Sequence, residues 1–375
     1  MIQRNLLKII NDNLFKRKTL LIFGPRQVGK TTLLEMIASG LDQKVKLFDC
    51  DEPDVRKNLT NPTSTQLKQL FGDSKVIMID EAQRIKNIGI TLKLMQDKIK
   101  DVQVIVTGSS ALELSDKIKE PLTGRKIEFL LLPISTMEMI GYTDFETEKR
   151  LLETRLIYGM YPDVINQPGN ERKILGNLAG SYLYKDIFSF QDVRKPEIIE
   201  NLLETLALQL GAEVSYHELG NHLGIDQLTV RRYIDLLEKT FVVFRLRAFS
   251  RNVRNEIKKS RKIYFYDNGI RNALISNFSP IQLRVDKGAL WENFLVSERK
   301  KWLNNNMLDT LSYFWRTTQQ QEIDYVENRD GEIHAYEFKW SGKEQSRFPV
   351  TFTKAYPTSK TSLITPLNYM DFIGN

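Results

Sequence analysis

Three short apolar runs stand out in the first part of the chain: Thr19-Leu-Leu-Ile-Phe23, Val76-Ile-Met-Ile79 and Val104-Ile-Val-Thr107. None alternates with polar residues, which is the signature of strands covered on both faces of a parallel sheet. Thr32-Leu-Leu-Glu-Met-Ile-Ala38 has helical character, so this part reads as α/β, a parallel sheet with helices on both faces. From about residue 146 to 199 the pattern is mostly helical, broken at Gly159-Met-Tyr-Pro162 and Gln167-Pro-Gly169. Ser215 to Leu223 predicts a short helix, Gly224-Ile225 a turn, and Asp226 the N-cap of a second helix through Glu238. That is a helix-turn-helix. Val230, Tyr233, Ile234 and Leu237 share one helical face, leaving Gln227, Thr229, Arg231 and Arg232 to solvent or to a DNA groove. Phe241 to Phe249 and Lys262 to Tyr266 follow as strands flanking a loop, the arrangement of a wing.

The last third is again mixed α/β. Lys287 to Val296 reads as a helix, and Glu322-Ile-Asp-Tyr-Val326 with Ile333-His-Ala-Tyr-Glu-Phe-Lys-Trp340 reads as a hairpin closed by Asp330-Gly331. The expected divisions are 1–145, 146–199, 200–268 and 269–375.

The chain has 375 residues, 41% of them hydrophobic, enough for several cores and too many for one small module. No apolar run approaches the roughly 18 to 20 residues of a membrane helix. Arg4 and Lys8 interrupt the N-terminus where a signal peptide would be apolar, so a cytoplasmic protein without membrane association is expected. One cysteine, Cys50, and three histidines make neither an internal disulfide nor a zinc cage. The net charge is +7, and the excess is concentrated. Arg245, Arg247, Arg251, Arg254, Lys258, Lys259, Arg261 and Lys262 face a single acid, Glu256, within one stretch. A cationic wing there, with Arg231 and Arg232 on the adjacent helix, would bind double-stranded DNA through its phosphates. The alternative is a fold used for protein packing with a solvated basic loop.

Specific chemistry begins after the first strand. Gly24-Pro25-Arg26-Gln27-Val28-Gly29-Lys30-Thr31, followed by Thr32, has the spacing G-x-x-x-x-G-K-[ST]. Its backbone N–H groups wrap a phosphate chain at a helix N-terminus, Lys30 reaches the β and γ phosphates of ATP, and the Thr31 hydroxyl coordinates Mg²⁺. A glycine turn that merely joins strand to helix is the plainer reading. The second buried strand ends in Asp80-Glu81, where Asp80 suits the Mg²⁺ partner and Glu81 the base that orients a water. The third ends in Gly108-Ser109-Ser110, where Ser109 is placed to sense the γ-phosphate unless it is ordinary loop.

The hairpin carries a second constellation. With Asp330 and Gly331 as its loop, Asp324 faces Glu337 and Glu322 faces Lys339, all four on one face, with Ile323, Tyr325, Tyr336 and Phe338 on the other. Opposed carboxylates repel unless a cation sits between them, and Mg²⁺ fits oxygen ligands. Glu292 on the preceding helix would add a carboxylate, and Lys339 would position a water. Ordinary cross-strand salt bridges on an exposed hairpin are the alternative.

Gly24 to Thr31, Val76 to Gln83, Val104 to Ser110, Leu122-Thr-Gly-Arg125 and Pro133-Ile-Ser135 together resemble the prokaryotic AAA-type P-loop ATPases with a conserved C-terminal region, the AAA/DUF4143 architecture. The resemblance implies an ATPase domain at 1–145, a helical lid at 146–199, a winged helix at 200–268 and a nuclease-like domain at 269–375. It makes Arg125 a candidate arginine finger, in cis or from a neighbouring subunit of a homo-oligomer, unless Arg125 simply caps the next strand. Glu292, Asp324 and Glu337-x-Lys339 resemble the PD-(D/E)xK nuclease site, although Ile323 stands in place of the proline. Either a working nuclease or a degenerate fold serving as a nucleotide-switched DNA-binding or protein-interaction module is compatible with this pattern.

Overall fold

Apolar residues with no polar alternation form the centre of a parallel sheet in a computed structural model that describes residues 1–108, 122–182, 187, 195–250, 261–341 and 348–374. Two units are present, Met1–Ile134 and Ser135–Asn375. The first contains α1 (Leu6–Asp12), β1 (Thr19–Phe23), α2 (Lys30–Ser39), β2 (Val45–Asp49), α3 (Pro53–Leu59), α4 (Ser64–Phe71), β3 (Val76–Asp80), α5 (Ile88–Lys98), β4 (Gln103–Gly108) and β5 (Lys126–Leu130). Its strands are all parallel, in the order β2-β3-β4-β1-β5. Every residue of β1, β3 and β4 is buried, whereas the edge strands β2 and β5 are only partly covered. Parallel register brings the C-terminal ends of the strands to one edge, with Phe23 beside Gly108 and Leu130, and Asp49 beside Asp80. Ligands of open α/β sheets bind at that edge.

The second unit begins with a helical stretch: α6 (Thr136–Tyr142), α7 (Phe145–Arg150), α8 (Leu152–Tyr158), α9 (Pro162–Asn166), α10 (Glu171–Asn177) and α11 (Pro196–Leu208). Ser135 and Glu138 close α6 with a reciprocal capping box, so the first residue of the unit is also a helix start signal. Gly159 is obligatory. Its φ is +68°, and a Cβ there would run into the buried carboxylate of Asp267.

Next come β6 (Glu213–Val214), α12 (Tyr216–Leu223), α13 (Gln227–Lys239), β7 (Val243–Ala248), β8 (Arg261–Phe265), α14 (Asn268–Leu274) and α15 (Lys287–Asn305). The chain ends with β9 (Leu311–Arg316), β10 (Glu322–Arg329), β11 (Glu332–Phe338), α16 (Val350–Ala355), β12 (Lys360–Ile364) and α17 (Tyr369–Gly374). Gly224, at φ +67°, ends α12 in the left-handed conformation, and the Asp226 side chain accepts from the Leu228 and Thr229 N–H groups to start α13.

The strands of this unit form one seven-stranded sheet, β12-β11-β10-β9-β7-β8-β6. The first unit ends at Ile134. The strands before and after residue 268 are one sheet, because β7 pairs in parallel with β9 through Arg247 with Tyr313 and Ala248 with Phe314.

The hairpin register is the one its two-residue turn requires: Tyr325 faces Tyr336 and Arg329 faces Glu332. The expected two-faced separation is broken at one point. Against β9 the register shifts between Ile323 and Val326, and this bulge rotates Ile323 into a cluster with Val326, Trp315 and Phe352. Tyr325 instead packs near Tyr336, Phe338 and Phe372.

Candidate functional site

The loop after β1 lies at the ligand edge of the first sheet. Gly24 is required because a Cβ would overlap the Leu131 carbonyl oxygen where β5 leaves the sheet. Gly29, at φ +90°, is the residue before α2. Val28 is buried beneath the loop. The Arg4 guanidinium, also buried, donates to the carbonyls of Val28 (2.8 Å) and Leu132 (2.6 Å).

Lys30 folds back and donates to the loop carbonyls of Gly24 (3.2 Å) and Pro25 (2.9 Å). Thr31 Oγ1 donates to Asp80 Oδ2 at 2.5 Å, so the helix start and the β3 tip meet. A hydroxyl and a carboxylate oxygen converging beside loop amides fit Mg²⁺ and a nucleotide phosphate chain. Glu81 Oε1 lies 4.0 Å from Lys30 Nζ. Glu81 has a left-handed backbone, φ +53°, and Gln83 Nε2 donates to its other carboxylate oxygen at 2.6 Å.

Thr107, at the tip of β4, donates from Oγ1 to Asp80 Oδ1, and its oxygen accepts from the Glu81 N–H at 3.1 Å. Cys50 donates its N–H to the Asp80 carbonyl. Burial, then Asp49 and Asp80, push the Cys50 thiol up to about 12. Arg4, Gln83 and Thr107 were not singled out from sequence; only Thr107, as the last polar residue of a buried strand, carried a local signal. Arg26, Gln27 and Thr32 lie in or just after the loop. Ser109 lies outside the described residues, as do Arg251, Arg254, Lys258 and Lys259.

Arg125 is placed differently from the in-cis expectation. It precedes β5, whose Lys126 pairs with Thr19 at the start of β1, and its guanidinium lies 3.5 Å from Asp97. A five-residue parallel strand separates it from the loop end of the sheet, about 16 Å at the usual rise. Strand polarity therefore removes Arg125 from the phosphate site of its own chain.

In the second unit, the structure brings Glu292, Asp324 and Glu337 into one cluster, where Glu292 and Glu337 act on the Asp324 carboxyl. Among the described residues no group of three His, Cys, Asp or Glu side chains is arranged to hold an ion. A buried ammonium already occupies the cluster: Lys262 Nζ lies 2.8 Å from Glu292 Oε1 and pairs with Glu322. Burial opposes the charge on Lys262, but Glu292, Glu322 and Asp324 more than offset it and raise its pKa above the ordinary lysine value. Burial, then Glu292 and Glu337, hold Asp324 well above the usual carboxylate range. Lys339 Nζ lies 3.5 Å from Glu337.

Within the described part of the basic stretch, two cations are already paired. Arg245 binds Asp235, Glu238 and Tyr216, Lys262 faces inward, and Arg261 lies 4.8 Å from the Tyr216 ring centroid. Arg231 and Arg232 are exposed on α13, and Arg247 is exposed on β7.

Three family models match the chain: an AAA domain at residues 16–140, a domain of unknown function (DUF8612) at 149–281 and a domain of unknown function (DUF4143) at 287–369. An uncharacterised protein of Mycobacterium tuberculosis is 28% identical over 332 residues, 87% of this chain and 71% of that protein. An uncharacterised protein of Methanocaldococcus jannaschii is 23% identical over 368 residues, 90% of this chain and 80% of that protein. Among solved structures, the Walker-type ATPase of Pyrococcus abyssi shares the fold at a TM-score of 0.52 and 16% identity, over 73% of this chain and 96% of that one. With the strand-loop-helix and the Asp80 tip in place, the chain belongs with the AAA-type P-loop ATPases that carry a DUF4143 region toward the C-terminal end.

Proposed function

We propose that the first unit binds ATP with Mg²⁺ and hydrolyses it. The observation that carries this is the 2.5 Å contact between the Thr31 hydroxyl and the Asp80 carboxylate, beside a lysine held on its own loop. Thr31 and Asp80 would hold Mg²⁺, which offsets phosphate charge when bound. The loop amides from Gly24 to Thr32 cradle the phosphates, and Lys30 exchanges its carbonyl partners for phosphate oxygens. Glu81, steadied by Gln83, accepts a proton from the attacking water. Thr107 keeps the Asp80 and Glu81 groups in register.

Lys30→Ala is expected to lose both nucleotide binding and turnover, and Glu81→Gln to bind ATP without hydrolysing it. Full ATPase activity in purified Lys30→Ala protein rejects the assignment.

A second reading concerns the other unit, favoured by the exposed pair Arg231 and Arg232 on α13. In this reading α12, α13 and the β7–β8 ribbon form a winged helix that binds double-stranded DNA, its engagement set by nucleotide occupancy. Binding measured over a range of salt is expected to weaken steeply, and Arg231→Ala/Arg232→Ala to flatten that slope by about one to two phosphate contacts. A salt-independent affinity counts against DNA as the partner. The position of Arg125 leaves an arginine-finger role only toward a neighbouring copy in a homo-oligomer.

A further inference from the structure

We propose that Lys262 is the resident cation of the C-terminal carboxylate cluster, its buried ammonium held by Glu292 and Glu322 in place of a divalent metal. The cluster draws Glu292 from α15, Glu322 and Asp324 from β10, and Glu337 from β11. Several of its oxygens are engaged by donors of the same chain. Glu292 Oε1 accepts from Lys262 Nζ at 2.8 Å and from the Tyr264 hydroxyl at 2.5 Å. Glu322 is shared between Lys262 and Arg316, the latter at 3.4 Å. Asp324 Oδ2 accepts from the Phe338 N–H at 2.8 Å, and Glu337 is 3.5 Å from Lys339.

Neither partner of the central pair is free to leave. Strand β8 lies between β7 and β6, and Lys262 is paired with Leu246 on one side and Glu213 on the other. Its side chain is 2% exposed. Helix α15 is pinned to the same strand by Asn293, whose side chain accepts from the Phe265 N–H at 2.8 Å and donates to the Phe265 carbonyl at 3.1 Å. A divalent ion entering the cluster would sit beside an ammonium with no route to solvent, and like charges at that range repel strongly. The cluster therefore keeps Glu292 and Glu322 beside a buried lysine, and a divalent ion is not its resident cation.

The test is the number of Mn²⁺ ions bound to the full, nucleotide-free chain, read by electron paramagnetic resonance. In wild type, Asp324→Asn is expected to leave that number unchanged. Lys262→Met, which keeps bulk but removes charge, is expected to gain one Mn²⁺ per chain, and adding Asp324→Asn to it to remove the gain. A wild-type protein that loses a bound Mn²⁺ on Asp324→Asn overturns the proposal. So does a Lys262→Met protein with native circular dichroism and elution volume that gains none. If Lys262→Met does not fold, wild type against Asp324→Asn decides alone: an equal count supports the lysine-held cluster and a lower count refutes it.

Discussion

Replacing Arg4 with Met keeps the aliphatic stem and removes the guanidinium that joins the phosphate loop to the segment after β5. Two buried carbonyls, Val28 and Leu132, lose donors at 2.8 and 2.6 Å. Hydrogen bonds from a charged group contribute about 1.5 to 3 kcal/mol each, and relief of the buried charge offsets part of their loss. A net destabilisation of the first unit by about 2 to 4 kcal/mol follows. The functional consequence comes from peptide planarity. The Val28 carbonyl and the Gly29 N–H are opposite ends of one rigid group, so the guanidinium that holds the carbonyl also aims that N–H into the loop. Nucleotide affinity should fall about tenfold, about 1.4 kcal/mol. The maximal rate, which depends on Asp80 and Glu81, should change much less. Arg4→Lys retains charge and part of the donor set and should recover part of the affinity. Titration with a fluorescent ATP analogue, denaturant unfolding and steady-state hydrolysis together read these effects. An Arg4→Met protein with wild-type affinity and an unshifted unfolding midpoint refutes the reasoning, and an equal loss in kcat and kcat/KM shows that Arg4 acts on the transition state instead.

Thr107→Val is nearly isosteric but removes the hydroxyl shared by Asp80 and the Glu81 N–H. Turnover should drop by about ten- to a hundredfold with little change in ATP affinity, and a purely KM effect would show that Thr107 does not organise the acids. In the second unit, Arg299 forms a two-pronged pair with Glu327, Nε to Oε1 at 2.7 Å and Nη2 to Oε2 at 3.1 Å, with both residues buried. Glu327→Gln leaves a guanidinium charge uncompensated and should lower stability by about 3 to 5 kcal/mol; a loss under about 1 kcal/mol in urea unfolding would contradict that burial. Cys50, the single cysteine, should stay unreactive to a thiol reagent at pH 8 in native protein and react fully after denaturation. Because folding raises its pKa from 9.0 to about 12, its contribution to stability is complete below pH 9 and lost as pH rises toward 12. Stability in the first unit that increases over that window would reverse the assignment.

What was legible in the sequence was what neighbours in sequence decide. A glycine loop between a buried strand and a helix, an Asp N-cap at position 226, and a two-residue turn at Asp330-Gly331 each act over a few residues, and the hairpin register followed from the turn alone. The bulge at Ile323 was hidden because it is set by pairing with β9, on the other side of the strand. Arg4 and Thr107 were hidden for the same reason: their partners are the ends of strands brought alongside only when the sheet forms.

Two cations of the basic stretch show where composition misleads. Counted along the chain, Arg245 and Lys262 belong to one cationic run; in the fold each has acids of its own, Asp235 and Glu238 for the first, Glu292 and Glu322 for the second. A side chain that spends its charge on a buried carboxylate releases no counterion from DNA. Among the described residues, the cations left facing solvent in this region are Arg231, Arg232 and Lys239 on α13 and Arg247 on β7. Any phosphate footprint of the described cations in this region is therefore centred on that helix, and Arg245 and Lys262 do not add to it.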